Sequence, residues 1–393
     1  MTLSRRATLL GLSAIATSAR VKLALADAPG QQRLVVVLLR GALDGMASVV
    51  PYGDAHLAAL RGPLIPPAPG QPGGMFDLGG FYGLNPALPG IHAMYQASEA
   101  LAVHAVAGPY RTRSHFEAQD LLQLGTVQET GLTSGWLNRT LAELPHRRGA
   151  ELPGLAAGLG VPLLLQGPQR VGAYAPEHFG SPAPDLLARI ASLNVADRIT
   201  GPAIGEALRS AKFDETVMRD DTPKRGGFPM LAGQVGQLLA AEGGPRIAAF
   251  QLEGWDTHGN QVGGLRGPLA GLDTGLVNLK TALGPAWNHT MVLVMTEFGR
   301  TAAVNGTAGT DHGTATAAFV LGGRVAGGRV RATWPGLAPN QLFERRDLAP
   351  TLDIRSLAKG ALAAHLNLSN AALARIFPES TAAAPLQGLL RTA

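Results

Sequence analysis

The sequence contains no cysteine among its 393 residues. Disulfides and thiolate metal ligands are therefore excluded, and the fold must be stabilised by burial and packing. Charged residues are scarce at 16% of the chain, against 46% hydrophobic residues, and this balance argues against a disordered protein. Beyond the N-terminal segment, no apolar run reaches the length that a transmembrane helix needs. We therefore expect a globular protein without a stable membrane span.

Neither sign of charge dominates the chain. The formal net charge is +5, and it falls to +2 when the first 28 residues, with four basic residues and one acid, are left out. A charge this small does not indicate a surface for nucleic acid. The glycine pairs Gly322-Gly323 and Gly327-Gly328 also lack the strand-turn-helix context of a dinucleotide site. We expect neither nucleic acid nor a dinucleotide among the ligands.

Residues 1–28 have the order of an export signal. Adjacent Arg5 and Arg6 precede an apolar stretch from Ala7 to Ala16, and small residues end the segment at Ala26-Asp27-Ala28. Paired arginines are typical of a twin-arginine signal, which is read by export machinery that carries folded cargo. The alternative interpretation is a basic, disordered tail. The signal predicts a periplasmic or extracellular protein that consists of a single domain over residues 29–393.

Short apolar runs predict buried strands that alternate with helices. The predicted strands cover residues 34–39, 101–107, 162–165, 247–252, 291–295 and 317–321. A leucine stripe from Leu269 to Leu283 predicts a helix with Pro268 near its first turn. The Gly- and Pro-rich stretches 62–74 and 150–161 are interpreted as loops. Together these patterns predict a three-layer α/β fold, a mostly parallel central sheet with helices on both faces and an antiparallel edge strand.

In open α/β sheets ligands gather at the carboxyl ends of the strands, so the residues that follow each predicted strand are candidates for a site. Asp44 follows the first strand, either as an oxygen ligand for a hard cation or as part of an Asp-Gly turn. Ser114 follows the second strand, and with Glu117 it fits a capping box. Alternatively, Ser114 is a nucleophile at a helix N-terminus that binds an anion, with Arg111 and Arg113 close in sequence.

Two further predicted strands are followed by acidic groups. Asp256 and His258 lie two residues apart on a loop and can converge on one metal, unless Asp256 caps a helix and His258 is a surface group. Glu297 and Arg300 follow the predicted strand 291–295. Glu297 is a possible oxygen ligand for a metal and Arg300 a possible bidentate partner for an anion, or the two form a salt bridge with each other.

The last acid-imidazole pair, Asp311 and His312, precedes a predicted strand instead of following one. It reaches the common edge only if that strand runs antiparallel to its neighbours, which mixed sheets permit. His115, by contrast, is interpreted as a first-turn residue of its helix. Three carboxylates, a serine at a helix start and two acid-histidine pairs thus fall at strand ends, and they are hard and borderline ligands.

Several segments resemble one known family in order along the chain. They are LVVVLLRGALDGMASVVPYGD, RSHFEAQD, GWLNR, LEGWDTHGNQ, VMTEFGRTAAVNGTAGTDHG and AAFVLGG. These segments resemble an exported bacterial family, domain-of-unknown-function family 1501. That family is grouped with the alkaline phosphatase and sulfatase superfamily. The resemblance implies an alkaline-phosphatase-like fold with one or two metals at the carboxyl ends of the central sheet.

The resemblance also implies roles for individual residues. Asp44 matches the metal-binding aspartate after the first strand of the superfamily, and Ser114 lies where its nucleophile or the substitute for it lies. Asp256 and His258 resemble the next pair of metal ligands, and His312 resembles the last histidine ligand.

Two features depart from the superfamily pattern. Asp256 and His258 are more closely spaced than the usual ligand pair, and Glu297-Phe298 replaces an Asp-His pair. The expected cofactor is a divalent metal, zinc, manganese, magnesium or calcium, with the number of ions left open.

Two functions of different classes follow. The first is an exported, metal-dependent hydrolase of phosphate or sulfate esters, with a small-molecule or glycan ester as substrate and with Ser114, Arg113 and Arg300 in catalytic roles. The second is a non-catalytic exported protein of the same fold that binds a surface glycan or an assembly partner.

Overall fold

A nine-stranded sheet forms the centre of the fold. The computed structural model describes residues 31–128, 131–145, 153–158, 160–175 and 227–392. The predicted export signal at residues 1–28 and its cleavage site lie outside this part of the chain.

The strands are named in chain order. They are β1 (Arg33–Leu39), β2 (Val49–Val50), β3 (Phe76–Asp77), β4 (Gly83–Leu84), β5 (Ala100–Ala107), β6 (Gly154–Ala157), β7 (Val171–Tyr174), β8 (Ile247–Leu252), β9 (Thr290–Thr296), β10 (Thr316–Leu321), β11 (Arg329–Arg331) and β12 (Leu352–Asp353).

The large sheet has the strand order β11-β5-β10-β9-β1-β8-β6-β7, and β12 also pairs with β5. Its strand pairs are parallel except those made by β10, which runs antiparallel to both β9 and β5. The antiparallel strand lies inside the sheet instead of at its edge. All of its residues are buried, which suits a strand with neighbours on both sides. The strands β2, β4 and β3 form a small second sheet.

The helices are likewise named in chain order. Those in the described ranges are α1 (Gly45–Ser48), α2 (Leu57–Arg61), α3 (Pro89–Gln96), α4 (His115–Leu124), α5 (Trp136–Glu143), α6 (Phe228–Ala240), α7 (Gln261–Leu283), α8 (Ile354–Leu366) and α9 (Asn370–Ile376). None of them combines the length and the apolar character needed to cross a bilayer.

Helices cover both faces of the sheet, and each face has its own apolar core. Alternate residues of β1 divide between the two cores, as the two-residue period of a strand requires. Val35 and Val37 pack with residues of α3, α6 and α7, while Leu34 and Val36 pack with residues of α5, α8 and α9. The predicted three-layer α/β architecture is thus confirmed.

Five of the six segments predicted as strands form strands, and the exception is residues 162–165. Leu163–Leu165 is a 3-10 helix, and the amide of Leu165 donates to the carbonyl of Pro162 over 2.8 Å. An apolar run of four residues does not distinguish a strand from a helical turn by its periodicity.

The stretch 150–161, interpreted as a loop, contains the strand β6. This strand consists of Gly-Leu-Ala-Ala and lies between β7 and β8. Gly154 fits there because a Cβ would come within 2.8 Å of the Leu141 side chain. Small residues hide such a strand from a hydrophobicity pattern.

The long helix α7 begins earlier than the leucine stripe predicts. It starts at Gln261, so Pro268 lies inside the helix and not in its first turn. Glycines at positions 263, 264 and 267 weaken the helical signal of this segment, because glycine has a low helix propensity.

One buried histidine is held in its neutral form by two backbone contacts. The Nε2 atom of His104 on β5 lies 2.9 Å from the carbonyl oxygen of Val49, and its Nδ1 accepts from the amide of Ala105 over 2.7 Å. The ring is therefore neutral, with its proton on Nε2. Burial lowers the pKa of His104 from 6.5 to about 4.

We predict that this histidine lowers the free energy of unfolding as the pH falls from 6.5 towards 4. In that window the unfolded state binds a proton that the folded state cannot bind, so stability is lost by up to about 3 kcal/mol. Urea unfolding of the wild type and His104→Gln at pH 7 and pH 4.5 measures the effect. The variant is expected to lose less stability between the two pH values, and equal losses would contradict the assignment.

Candidate metal centre

Loops at one edge of the sheet bring four polar side chains together. His115 begins α4 after β5, Asp256 and His258 follow β8, and His312 precedes β10. Because β10 runs antiparallel, its first residue lies at the same edge as the last residues of its neighbours. This strand direction is the one that the sequence analysis requires for the Asp311-His312 pair.

The ring of His115 is held by a buried carboxylate. Its Nδ1 lies 2.7 Å from Oε1 of Glu297, which also accepts from the amide of Gly41 at 2.8 Å and from Nε2 of Gln119 at 2.9 Å. The hydrogen bond to Glu297 raises the pKa of His115, and burial opposes it. Burial raises the pKa of Glu297, but the hydrogen bonds from His115 and Gln119 outweigh it and lower the pKa. The charged carboxylate therefore accepts a hydrogen bond from Nδ1–H of His115, and Nε2 of the ring faces away from it.

Gly41 allows this arrangement at the end of β1. Its φ of +113° lies in the region that favours glycine, and a Cβ at this position would come within 2.7 Å of the Asp256 amide nitrogen. A side chain at position 41 would therefore push apart the loop that carries Asp256 and the amide that binds Glu297.

The ring of His312 is fixed in the same sense by a backbone group. Its Nδ1 lies 2.9 Å from the carbonyl oxygen of Arg113. A carbonyl only accepts, so Nδ1 carries the proton and Nε2 presents a lone pair. Burial lowers the pKa of His312, and the neighbouring His115 lowers it further.

His258 completes the pattern with a third supported ring. Its Nδ1 lies 3.2 Å from Oδ1 of Asp311, and Asn305 donates to the same oxygen over 3.1 Å. The hydrogen bond from Asn305 is the largest of several that lower the pKa of Asp311. Nε2 of His258 lies 3.0 Å from Oδ1 of Asp256.

Three imidazole lone pairs and one carboxylate thus face a common point. The Nε2 atoms of His115 and His258 lie 2.9 and 3.0 Å from that of His312. In each neutral ring the proton lies on Nδ1, so that Nε2 presents a lone pair, and three such lone pairs this close together suit a shared cation. The ligand atoms of His115, Asp256 and His312 all lie within 4.8 Å of one another. This donor set fits a metal ion, and we call these four residues the His/Asp cluster.

A chain of buried hydrogen bonds links the cluster to Asp44. The buried Arg300 donates to Oδ1 of Asp256, and its Nε lies 3.2 Å from Oγ1 of Thr310. Thr310 donates to Oε1 of Gln261 over 2.5 Å, and Nε2 of Gln261 donates to Oδ2 of Asp44 over 2.6 Å. Burial raises the pKa of Asp256, but its contacts with Arg300 outweigh burial, so that the pKa is lowered and the carboxylate is charged.

Asp44 lies at this edge of the sheet but does not join the His/Asp cluster. Its Oδ1 caps α1 by accepting from the amides of Met46 and Ala47 at 3.1 and 3.2 Å. Its Oδ2 forms an ion pair with Arg61, which also donates to two backbone carbonyls. Both oxygens already have partners, so the geometry gives no support to Asp44 as a metal ligand.

Replacing Arg61 tests this structural role. We expect Arg61→Met to lower the free energy of unfolding by about 3–5 kcal/mol, because it leaves the buried Asp44 carboxylate without its cation. Arg375→Met is the matched control, since its ion pair with Glu143 is exposed and screened by solvent, so that its loss should change the free energy of unfolding far less. Urea unfolding measures both, and equal losses would contradict the role assigned to Asp44.

The predicted capping box at Ser114 is wrong. Ser114 occupies the N-cap position of α4, but its hydroxyl makes no capping hydrogen bond. The carboxylate of Glu117 instead accepts from the hydroxyl of Tyr110 over 2.5 Å. Ser114 therefore lies at the start of α4 between two residues that contact the cluster, Arg113 through its carbonyl and His115 through its ring.

The arginines proposed to clamp an anion have other partners. Nε of Arg113 lies 2.9 Å from Oδ2 of the buried Asp347, and its Nη2 lies 2.5 Å from Glu344. Arg300 pairs with Asp256, so the salt bridge considered between Glu297 and Arg300 does not form. Both guanidinium groups are thus paired with carboxylates of the chain itself.

Of the six residues predicted as metal ligands, all but Asp44 lie in the His/Asp cluster or next to it. Asp256, His258 and His312 belong to the cluster, and Glu297 and Asp311 contact its rings from behind. His115 was not predicted as a member of the site, because a histidine in the first turn of a helix is explained by its position in the helix alone. The sequence does contain one signal, the position of His115 beside Ser114 at the end of the loop that follows β5.

One protein family matches most of this chain. The family described as "Protein of unknown function (DUF1501)" matches residues 96–377. The chain belongs to this family. The matched region contains the whole His/Asp cluster and Ser114, whereas Asp44 precedes it. A comparison with curated proteins gave no match.

Two solved structures are similar to the chain at low sequence identity. Ps i-CgsB in complex with k-i-k-neocarrahexaose is 9% identical, with a TM-score of 0.36 over 76% of this chain and 68% of the other. The phosphonate monoester hydrolase of Agrobacterium radiobacter is 11% identical, with a TM-score of 0.37 over 86% of this chain and 74% of the other.

Proposed function

We propose that this protein is an exported, metal-dependent hydrolase of phosphate or sulfate esters. The observation that carries the proposal is the convergence of three Nε2 atoms and the Asp256 carboxylate at one edge of the sheet. Export is proposed from the paired Arg5 and Arg6 and the apolar segment after them.

The donor set favours a borderline ion over a hard one. Three imidazoles and one carboxylate suit Zn²⁺, and Mn²⁺ less closely, whereas Mg²⁺ and Ca²⁺ take mainly oxygen ligands. The outer contacts agree, because metal-binding histidines usually donate their other N–H to a carboxylate or a backbone carbonyl. His115 and His258 do so to Glu297 and Asp311, and His312 does so to the carbonyl of Arg113.

A divalent ion in this site would supply a positive charge that polarises an ester oxygen and lowers the pKa of a nearby hydroxyl. The chain's own contribution is to hold Nδ1 protons away from the centre, so that each Nε2 remains a lone-pair donor. Arg300 keeps Asp256 charged and oriented towards the rings.

Ser114 is the proposed nucleophile, because its hydroxyl is not used as a helix cap and its chain neighbours contact the cluster. The positive end of α4 adds a site for the transferring anion, since its first N–H groups lack a side-chain cap. The helix end thus takes the role that the sequence suggested for Arg113 and Arg300. The substrate class is a small-molecule or glycan ester.

Hydrolysis assays on the exported protein test the proposal directly. Protein recovered from its own host's periplasm or medium is stripped with a chelator, and Zn²⁺, Mn²⁺, Mg²⁺ or Ca²⁺ is added back. Para-nitrophenyl phosphate and para-nitrophenyl sulfate are the probes. We expect hydrolysis of at least one ester to disappear on stripping and to return best with Zn²⁺ or Mn²⁺. Tight metal binding without any hydrolysis would overturn the enzymatic function and support a binding protein.

Glu297→Gln tests whether the buried carboxylate supports the cluster from behind. We expect it to weaken metal affinity by about 10–100-fold, the usual effect of removing such an outer contact, without abolishing binding. Competition with a chromophoric chelator measures the affinity. Glu344→Gln is the control, because its carboxylate binds Arg113 at the surface and touches none of the cluster rings. An unchanged affinity in Glu297→Gln would contradict the proposed support.

A further inference from the structure

A cavity lies against the N-terminal half of α7. It is an open cleft of about 520 Å³, within the range of roughly 300–1,000 Å³ that small-molecule sites occupy. None of the four cluster residues lines it. Its walls are the segment 63–67 with Gly73, the segment 85–87, and residues of α7, with Ala47 at one side.

The walls are mostly apolar. Four of the lining residues are prolines, which have no backbone N–H to offer a ligand. Leu265 and Leu269 of α7 contribute buried apolar side chains, and Val262 at the rim is 58% exposed. An exposed valine beside an apolar cleft is surface that a ligand can bury.

The polar side chains in the lining, with one exception, already have partners. Asn85 donates to the carbonyl of Ala47 and accepts from the amide of Ala87, at 2.9 and 3.0 Å. Gln261 is held by Asp44, Thr257 and Thr310. The exception is Arg266, which is exposed and makes no hydrogen bond or ion pair within the described ranges of the chain.

Arg266 is also the one ionisable residue among those that line the cleft in the described structure. The cleft therefore pairs an apolar wall with a single unneutralised positive charge. Because no lining residue is acidic, a cationic ligand would meet repulsion without compensation.

We propose that this cleft binds a free single-chain amphiphile with an anionic head, such as a fatty acid. The acyl chain lies against the prolines and the leucines of α7, and the carboxylate pairs with the guanidinium of Arg266. This binding site is independent of the hydrolase function proposed above.

Titration calorimetry with dodecanoate below its micelle concentration tests the proposal on the full mature chain. We expect saturable binding with one site per chain, and clearly weaker binding of dodecyltrimethylammonium, which has the same chain length and the opposite charge. Chelator-treated and metal-loaded protein should bind dodecanoate equally, so the result does not depend on the metal centre.

Three variants make the test specific. Arg266→Gln should weaken dodecanoate binding about tenfold through loss of the charged hydrogen bond. Ala270→Trp, at an exposed lining position, should fill the cleft and weaken binding by a similar or larger factor. Arg331→Gln is the control at an exposed arginine outside the cleft and should leave binding unchanged.

Absence of saturable binding would overturn the proposal. Equal affinity for the two amphiphiles, or equal losses in Arg266→Gln and Arg331→Gln, would do the same. Binding to vesicles of anionic phospholipid without binding to dodecanoate would assign the face to a membrane surface instead.

Discussion

His312→Ala is expected to remove both metal binding and ester hydrolysis. His312 is the shared member of the cluster, since its Nε2 lies 2.9 Å from His115, 3.0 Å from His258 and 3.3 Å from Asp256. Losing a direct ligand should weaken metal affinity by more than the roughly 100-fold that losing an outer contact can cause. Elemental analysis of the purified variant, with chelator competition, measures the loss.

His56→Ala is the matched control for this variant. His56 is an exposed loop histidine beside Asp54 and does not contact the cluster. It should keep the metal content and the hydrolysis rate of the wild type. A His312→Ala protein that retains a full complement of tightly bound metal would show that the ion lies elsewhere, and the proposed centre would be abandoned.

Ser114→Ala should separate metal binding from chemistry. The hydroxyl belongs to no capping interaction, and no cluster ring depends on it, so metal content should stay at the wild-type level. If Ser114 is the nucleophile, kcat should fall by about 1,000-fold or more, as happens when nucleophiles are deleted in hydrolases. Steady-state kinetics with the better of the two nitrophenyl esters gives the value.

Thr112→Ala controls for the loss of a hydroxyl on the same loop. Thr112 lies two residues before Ser114 and is exposed, so its removal should change kcat little. If Ser114→Ala hydrolyses esters at the wild-type rate, a water molecule and not the serine attacks the ester. That result would reject the nucleophile and leave the metal centre intact.

The central strands of the sheet could be predicted from sequence because they are buried on both faces. Runs such as the one at β1 and the one at β9 are continuously apolar, and that pattern has few alternatives. β6 was not predicted, since its burial rests on glycine and alanine, which carry little hydrophobic signal. The start of α7 was misplaced for a related reason, because a glycine-rich turn of helix depends on tertiary packing more than on propensity.

The location of the site could be predicted from sequence, but the role of each side chain within it could not. Strand ends of an α/β sheet meet at one edge, so acids and histidines placed there by sequence were expected to be neighbours. Which carboxylate faces the centre of the cluster and which supports a ring depends on partners far away in the chain. Glu297 lies behind His115, and Asp44 faces Arg61, through contacts that no local pattern contains.

The reversed direction of β10 has a consequence for when the proposed metal ion could bind. It brings His312 close to His115, which lies 197 residues earlier in the sequence. The three Nε2 atoms therefore come together only after β10 has paired with β5 and β9. The unfolded chain lacks this arrangement of ligands and would bind the ion much more weakly. If the protein crosses the membrane already folded, as a paired-arginine address implies, it carries the metal of the compartment where it was made.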